Sequence, residues 1–323
     1  MRRLTACLTL VLAWLAGAGL SSARADEYPS KPVRLIVGFT AGAAGDVLAR
    51  VIAADLGKRL GQAVVVEDKP GASSNVATEY VARAPNDGYT LLLGTVANVT
   101  NAAVTPDLHV DFVNDFAPIG MAAILPVLLV VHPSLHVHSL PELIALVKTK
   151  PNQILYGSTG VGTTPHLAGE LLDSLAGIKM VHVPYQGSPA AVADLIAGRT
   201  QVMFASASTV LPFVRSGALV ALATAAPQRT DAAPDLPTTA ELGMPSLDAS
   251  IWFGIMTPAG VSPAIKTKLA TALAQTMRND EVLATLHLQG FVPQPGSPEQ
   301  FASYIHGEIQ KWSAVASTAG LRK

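Results

Sequence analysis

Short, uninterrupted apolar runs alternate with helix-patterned stretches along most of this 323-residue chain, and that rhythm restricts the fold more than any other feature. The runs Val33–Val37, Ala63–Glu67, Thr90–Gly94, Ile154–Tyr156, Met180–Val183, Gln201–Ala205 and Leu219–Thr224 are predicted strands. Being continuous rather than alternating, they fit parallel strands covered on both faces. Helices are expected between them, at Asp46–Leu60, Ser74–Arg83, Ser139–Lys148, Thr164–Leu175, Ser188–Ala197 and Thr209–Arg215. A βαβ rhythm of this kind builds open α/β sheets, and the length accommodates two of them.

Two longer apolar segments, Ile119–His132 with Pro126 inside it and Ser250–Met256, read as strands crossing between two domains. The first domain would comprise 26–124 and 249–323, and the second 125–248, with 1–25 lying outside the fold. Helices Ser262–Arg278, Asp280–Leu288 and Ser297–Ala316 close the first domain, and 225–247, with its prolines, reads as irregular surface structure with a short helix near Thr239. Helix starts are marked: Ser139-Leu140-Pro141-Glu142 is a capping box, and Thr164-Pro165 and Ser188-Pro189 place a hydroxyl cap before a helical proline.

The ends set the compartment. Arg2 and Arg3 precede the apolar run Cys7–Leu20, and Ala23-Arg24-Ala25 is a small-x-small cleavage site, so export with cleavage after Ala25 is expected. Cys7 is the one cysteine, and it leaves with that leader. The mature chain then has no disulfide, thiol nucleophile or cysteine metal ligand, and rests on its core. The chain carries 22 basic and 23 acidic residues without a basic tract, which speaks against nucleic acid.

Chemistry concentrates at strand-to-helix junctions. Gly38-Phe39-Thr40-Ala41-Gly42-Ala43-Ala44-Gly45-Asp46 joins an apolar strand to a helix through small residues. Such a junction aims free backbone N–H groups and the positive helix end at one point, a natural seat for an anion. Tyr156-Gly157-Ser158-Thr159-Gly160-Val161-Gly162-Thr163-Thr164-Pro165-His166 is a second, Val183-Pro184-Tyr185-Gln186-Gly187-Ser188-Pro189 a third, and the Gly94–Asn101 loop with Asn98 a weaker fourth. In open α/β sheets these loops lie at strand carboxyl ends, where ligands bind. None contains Lys or Arg, and neither G-x-G-x-x-G nor G-x-x-x-x-G-K-[ST] occurs. Amides and hydroxyls without cations suit carboxylates.

Other constellations are weaker. There is no G-x-S-x-G elbow around Ser158, although Ser158 and His166 are the pair a periplasmic hydrolase would use. His166 and Glu170 stand at i and i+4 without H-E-x-x-H, and His132, His136 and His138 read as a solvated loop. Asp107, Asp111 and Asp115 lack a calcium loop's glycine and glutamate and read as surface. Trp252-Phe253 reads as core. No metal or cofactor is expected.

Tyr28-Pro29-Ser30-Lys31-Pro32-Val33-Arg34-Leu35-Ile36-Val37, Leu60–Ala72, Pro85-Asn86-Asp87-Gly88-Tyr89-Thr90-Leu91-Leu92, His166–Leu171, Val183–Gly187 and Trp252-Phe253-Gly254 occur in order over nearly the whole mature chain. In this the chain resembles the periplasmic solute-binding proteins of tripartite tricarboxylate transporters, the Bug or TctC-like family. The resemblance implies an α/β, two-domain Venus-flytrap fold, with two open sheets joined by crossover strands and closing over a small organic anion. It implies monomeric delivery of a mono- or dicarboxylate to membrane permease subunits; a chemosensory binding protein is the alternative. By position, one ligand carboxylate would meet Phe39, Thr40, Ala41, Gly42, Ala43, Ala44, Gly45 and Asp46. The other end would meet Ser158, Thr159, Gly160, Gly162, Thr163, Thr164, His166, Tyr185, Gln186, Gly187 and Ser188, with Asn98 nearby. Asp46 either orders the loop or its waters, or is simply an acid in a first helical turn. The first loop departs from the family's P-F-x-P-G-G-x-x-D at Gly38, Ala41 and Ala43, and Ser73-Ser74 stand where the family favours Gly-Gly.

Overall fold

The computed structural model describes residues 28–105 and 109–321, so the expected leader and Asp107 lie outside the described residues. The chain runs β1 (Val33–Val37), α1 (Ala44–Leu60), β2 (Val64–Asp68), α2 (Asn75–Ala82), β3 (Thr90–Thr95), α3 (Val96–Val104) and β4 (Phe116–Leu125). It continues with β5 (Val127–Val131), α4 (Leu140–Thr149), β6 (Leu155–Ser158), α5 (Thr164–Ala176), β7 (Val181–Pro184), α6 (Ser188–Ile196), β8 (Val202–Ser206), α7 (Ala207–Arg215) and β9 (Val220–Thr224). The last elements are β10 (Ile251–Pro258), α8 (Pro263–Thr276), α9 (Asp280–Leu288), β11 (Val292–Gly296) and α10 (Pro298–Thr318).

The strands form a sheet ordered β11-β4-β10-β3-β1-β2 and another ordered β7-β6-β8-β5-β9. Both are mixed. β1 is parallel to β2 and β3, while β10 is antiparallel to β3 and β4. In the other sheet β6 is parallel to β7 and β8, while β5 is antiparallel to β8 and β9. Continuous apolar runs do not fix direction, because central antiparallel strands such as β5 and β10 are also buried on both faces.

Direction decides where the sheets meet. β4 ends on the edge where β1 and β3 end, and after Pro126 alone the chain enters β5 on the edge where β6 and β8 end. β9 finishes on that same edge, and β10 re-enters the first sheet where β3 ends. Both passages therefore place the carboxyl ends of the parallel strands of one sheet opposite those of the other.

Three expectations need correction. β10 does not cross between sheets; it pairs with β3 and β4 throughout, and its apolar run reflects burial in the sheet centre. The return passage is 225–250, tied down by Ala225 N–H to Val127 O (2.8 Å) and Ala249 N–H to Ala225 O (3.0 Å). Around Thr239 that passage forms turns rather than a helix, and Thr239 is buried with its hydroxyl donating to Leu247 O.

One apolar cluster runs from the first sheet through Trp252 and Met256 to Leu129, Tyr156 and Phe204 of the second. Separate clusters lie behind each sheet, around Leu35 and Ile52 in one and Val130 and Val210 in the other. Trp252 and Phe253 are core residues, as their composition suggests. α10 lies along β4 and α3 and also reaches α5. On it the buried Glu308 Oε2 accepts from the indoles of Trp252 (3.1 Å) and Trp312 (2.9 Å), and Lys311 pairs with Glu308 while donating to Asp248 O.

Candidate functional site

The first junction is a loop held from below. Gly42 N–H donates to Asp46 Oδ2 (2.8 Å), and Ala43 N–H to Thr40 O (3.0 Å). Asp46 is buried, with its other oxygen 2.6 Å from Arg50 Nε, and Arg50 reaches on to Asp68 (3.2 Å). One guanidinium thus serves two carboxylates; burial, helped by the charge of Asp46, holds the Asp68 carboxyl above its ordinary range. The Asp46 carboxylate is spent on its own loop, which leaves Thr40, Ala41 and Gly42 exposed above it, Phe39, Ala43 and Ala44 half-buried, and Gly45 buried. Ala43 occupies the N-cap of α1 without a side-chain bond, so the first amides of that helix have no internal acceptor.

The second junction hides most of its polar side chains. Ser158 is fully buried; its Oγ accepts from Gly160 N–H (3.1 Å) and lies 2.6 Å from His182 Nε2. Thr163 Oγ1 donates to Gly160 O (2.7 Å), and Gly162 N–H donates to His166 Nδ1 (3.0 Å). With Nδ1 accepting, the network assigns the His166 proton to Nε2, on the side of Glu170 Oε1 (3.9 Å). His166 stacks on His182, centroids 3.7 Å apart at 14°, and Tyr156 O–H donates to Glu170 Oε1 (2.6 Å). Burial lowers the affinity of both imidazoles for a proton, His182 to a pKa of about 4, with His166 adding to the effect there.

Several expected ligand contacts are thereby corrected. Ser158 and His166 are not open to a ligand; they are bonded beneath the loop that Thr159 and Gly160 carry. The Ser158–His182 pair has the length of a nucleophile–base bond, but it is covered by Gly160. Thr164 is buried and begins α5, so the N-cap is Thr163, again without a side-chain bond. Likewise Gly187, not Ser188, is the N-cap of α6, and it has no side chain to offer. In both helices the proline sits within the first turn, one place later than the sequence suggests.

At the third junction Tyr185 N–H donates to Ser158 O (3.0 Å), which joins it to the second, while its hydroxyl donates to Asp194 (2.8 Å). Gln186 is exposed, and Gly187 and Ser188 are half-buried. Asn98 is not on a loop. It is buried in the first turn of α3, its Oδ1 accepting from Thr95 N–H (2.8 Å) and its Nδ2 donating to Thr78 Oγ1 (2.7 Å). α3 links the two sheets: its C-terminal Val104 faces Gly162 so closely that a Cβ on the glycine would lie 2.9 Å from Val104 Cγ2.

Sequence reasoning missed the α7 junction. Ser206 caps it without a backbone bond, its Oγ 2.7 Å from Thr209 Oγ1. The signal was present, since Ser206-Ala207-Ser208-Thr209 after an apolar run matches the other junctions. His182 carried no local signal, because its partners come from 16 to 24 residues away in the chain. His132 bonds to Ser134 Oγ (2.8 Å), and among the described residues no three His, Cys, Asp or Glu side chains are grouped to hold a metal ion.

Comparison with known proteins gives this geometry its setting. Residues 48–321 match the family described as Tripartite tricarboxylate transporter family receptor. Protein BugT of Bordetella pertussis is 34% identical over 322 residues, 99% of each chain. A Rhodopseudomonas palustris protein solved with adipate superposes with a TM-score of 0.78 at 35% identity, covering 91% of this chain and 99% of that one. MatC from the same organism, solved with bound malate, gives 0.74 at 29% identity over 89% and 99%. Matches at 12% identity extend only the fold likeness. With two mixed α/β sheets in the periplasmic binding protein arrangement and a family match over most of its length, the chain belongs to the tripartite tricarboxylate transporter receptor family, as a solute-binding protein rather than an enzyme.

Proposed function

We propose that this protein is exported, captures a small organic carboxylate between its two sheets, and delivers it to the membrane subunits of a tripartite tricarboxylate transporter. The two sheets with their helices act as domains, 26–124 with 249–323 and 125–248, hinged at the two passages between them. The observation that carries this reading is the set of helix N-termini on the facing edges. α1, α5, α6 and α7 follow parallel strands and lack a side-chain cap, which leaves their first amides and dipole ends free to receive an anion. The relatives solved with adipate and malate take dicarboxylates, and the absence of Lys and Arg in these junctions suits the same ligand class. One carboxylate sits on Phe39–Ala44, and the other end meets Thr159–Thr163 and Tyr185–Ser188.

The test is a thermal-shift screen of refolded, ligand-stripped protein against mono-, di- and tricarboxylates, with sugars as controls. A ligand at about 100 times its Kd adds roughly 2.7 kcal/mol to folding stability. A shift confined to carboxylates supports the reading. A response to none of them, or to sugars alone, overturns it.

A further inference from the structure

Next to the first loop, Gly71-Ala72-Ser73-Ser74 is held in an unusual backbone. Ala72, Ser73 and Ser74 have φ of 45°, 51° and 79° in succession, a left-handed path that favours glycine and strains any other residue. Such a path persists only where its surroundings over-determine it. Here α3 does so: Asn101 Nδ2 donates to Ser73 O (2.6 Å) and Asn75 Oδ1 (3.0 Å), and Asn98 Nδ2 reaches Ser74 Oγ (3.4 Å). Thr78 Oγ1 adds a bond to Ser74 O (2.9 Å).

Glycine at position 74 would remove the strain at that residue, so the serine side chain needs a reason. It is fully buried, and it occupies the space a side chain at Gly38 would need. A methyl group at Gly38 would coincide with the Ser74 hydroxyl and lie 2.7 Å from the Ser74 Cα. Gly38 is the first residue after β1 and the root of the Phe39–Ala43 loop. Asn98 also receives the Thr95 amide, so one network ties the segments after β2 and β3 together, with Ser74 packed against the end of β1 at Gly38.

We propose that Ser74 is a positioning residue for ligand capture: seated in the notch at Gly38 and clamped by Asn98, it fixes the path of the first loop. Its relevance to ligand rests on the reading of that loop as a carboxylate seat. The mechanical claim does not. Ser74 replaces conformational restriction within the loop by a wedge from outside it. Positions 38 and 74 are therefore coupled.

The experiment follows amide hydrogen exchange by mass spectrometry, with melting temperature, on the full chain and on Ser74→Gly, Ser74→Ala, Gly38→Ala and the double variant Gly38→Ala/Ser74→Gly. Ser74→Gly is expected to melt no lower than the native protein, yet to exchange amides 38–44 at least tenfold faster. Ser74→Ala, which keeps the wedge's Cβ, falls between the two. Gly38→Ala alone is expected to melt well below native, and Ser74→Gly to restore only the part due to the serine Cβ and Oγ, because the 2.7 Å approach to the Cα of position 74 remains. Unchanged exchange in Ser74→Gly, or additive melting shifts in the double variant, overturns the proposal. Adipate titration forms the second arm, with affinity expected to drop about fivefold or more in Ser74→Gly. If native protein binds neither adipate nor any other carboxylate while the exchange and coupling results hold, the carboxylate reading fails and the Ser74–Gly38 wedge stands.

Discussion

Two sets of helices in this molecule begin differently. α4, α9, α8 and α10 have a side chain at the N-cap that accepts from their own first turn: Ser139, Asn279, Ser262 and Ser297. α1, α5, α6 and α7 have none, with Ala43, Thr163, Gly187 and Ser206 at the equivalent place. Topology sorts them. α4, α8 and α10 follow β5, β10 and β11, which run antiparallel to the sheet's parallel set and end on its outer edge. The uncapped four follow β1, β6, β7 and β8, which end on the edge facing the other sheet. α3, which follows β3 on the same edge, is closed by the Thr95–Asn98 capping box, whereas at the four uncapped starts the first amides have no side-chain acceptor of their own. Thr163 and Ser206 show that this is not a shortage of hydroxyls, since both turn theirs to other partners.

The sharpest way to break this comparison is to cap an open end. The Ala43 backbone (φ −70°, ψ 159°) already has N-cap geometry, so Ala43→Asp should bond the first amides of α1. Titration with adipate is expected to show affinity lowered by more than tenfold, about 1.4 kcal/mol, while the melting temperature rises. A variant that gains stability and keeps its affinity would remove α1 from the site. Next in size is Gly162→Ala, which meets both a φ of +77° and Val104. A loss of roughly 1–3 kcal/mol in urea unfolding is expected. Val104→Ala should return the part due to the clash and leave the part due to φ. Full recovery would show that the backbone is not strained.

Opening a closed end gives the converse. Ser297→Ala should cost about 1 kcal/mol of stability, with ligand affinity unchanged. Altered affinity there would show that capped ends also matter to the site. The smallest effect is in pH. His182 has a native pKa of about 4 against an ordinary 6.5, so in that window the unfolded chain takes a proton that the fold refuses, and stability falls as pH drops. Asp173, buried beside Met180 and Lys179, is pushed up to about 6 from 3.8, so there the fold keeps a proton the unfolded chain releases, and stability falls as pH rises. The two slopes oppose each other between about pH 4 and 6. Relative to the native protein, Asp173→Asn should therefore make melting temperature climb more steeply with pH in that range, and His182→Gln should make it climb less steeply. Changes of the same sign would contradict the assignment.

Strand positions were legible because each run is buried and apolar, and β1 falls where the sequence places it. β11 was not legible, because Pro293 and Pro295 argue against a strand. An edge position pairing only with β4 accommodates the missing donors. The candidate site was legible only as backbone, where small residues after an apolar run mark an exposed turn at Thr40–Gly42. It was not legible at the level of side chains. Whether Ser158, His166 or Asn98 faces a ligand or the interior depends on His182, Gly162 and Ser74, partners chosen by sheet register and helix packing. Thr164 and Ser188 show the same limit over one residue, since a proline is compatible with more than one place in a first turn.

Trp252 and Trp312, the only tryptophans among the described residues, converge on a single oxygen of Glu308, beside the backbone where the chain returns to its first sheet. The indole emission of the described residues therefore originates from one spot, beside the passage by which the chain returns to its first sheet. A spectral change on adding a carboxylate would report α10 moving against β10 as the halves reorient, with no label attached. Capture that leaves the emission unaltered would place the bending at Pro126, where neither indole is watching.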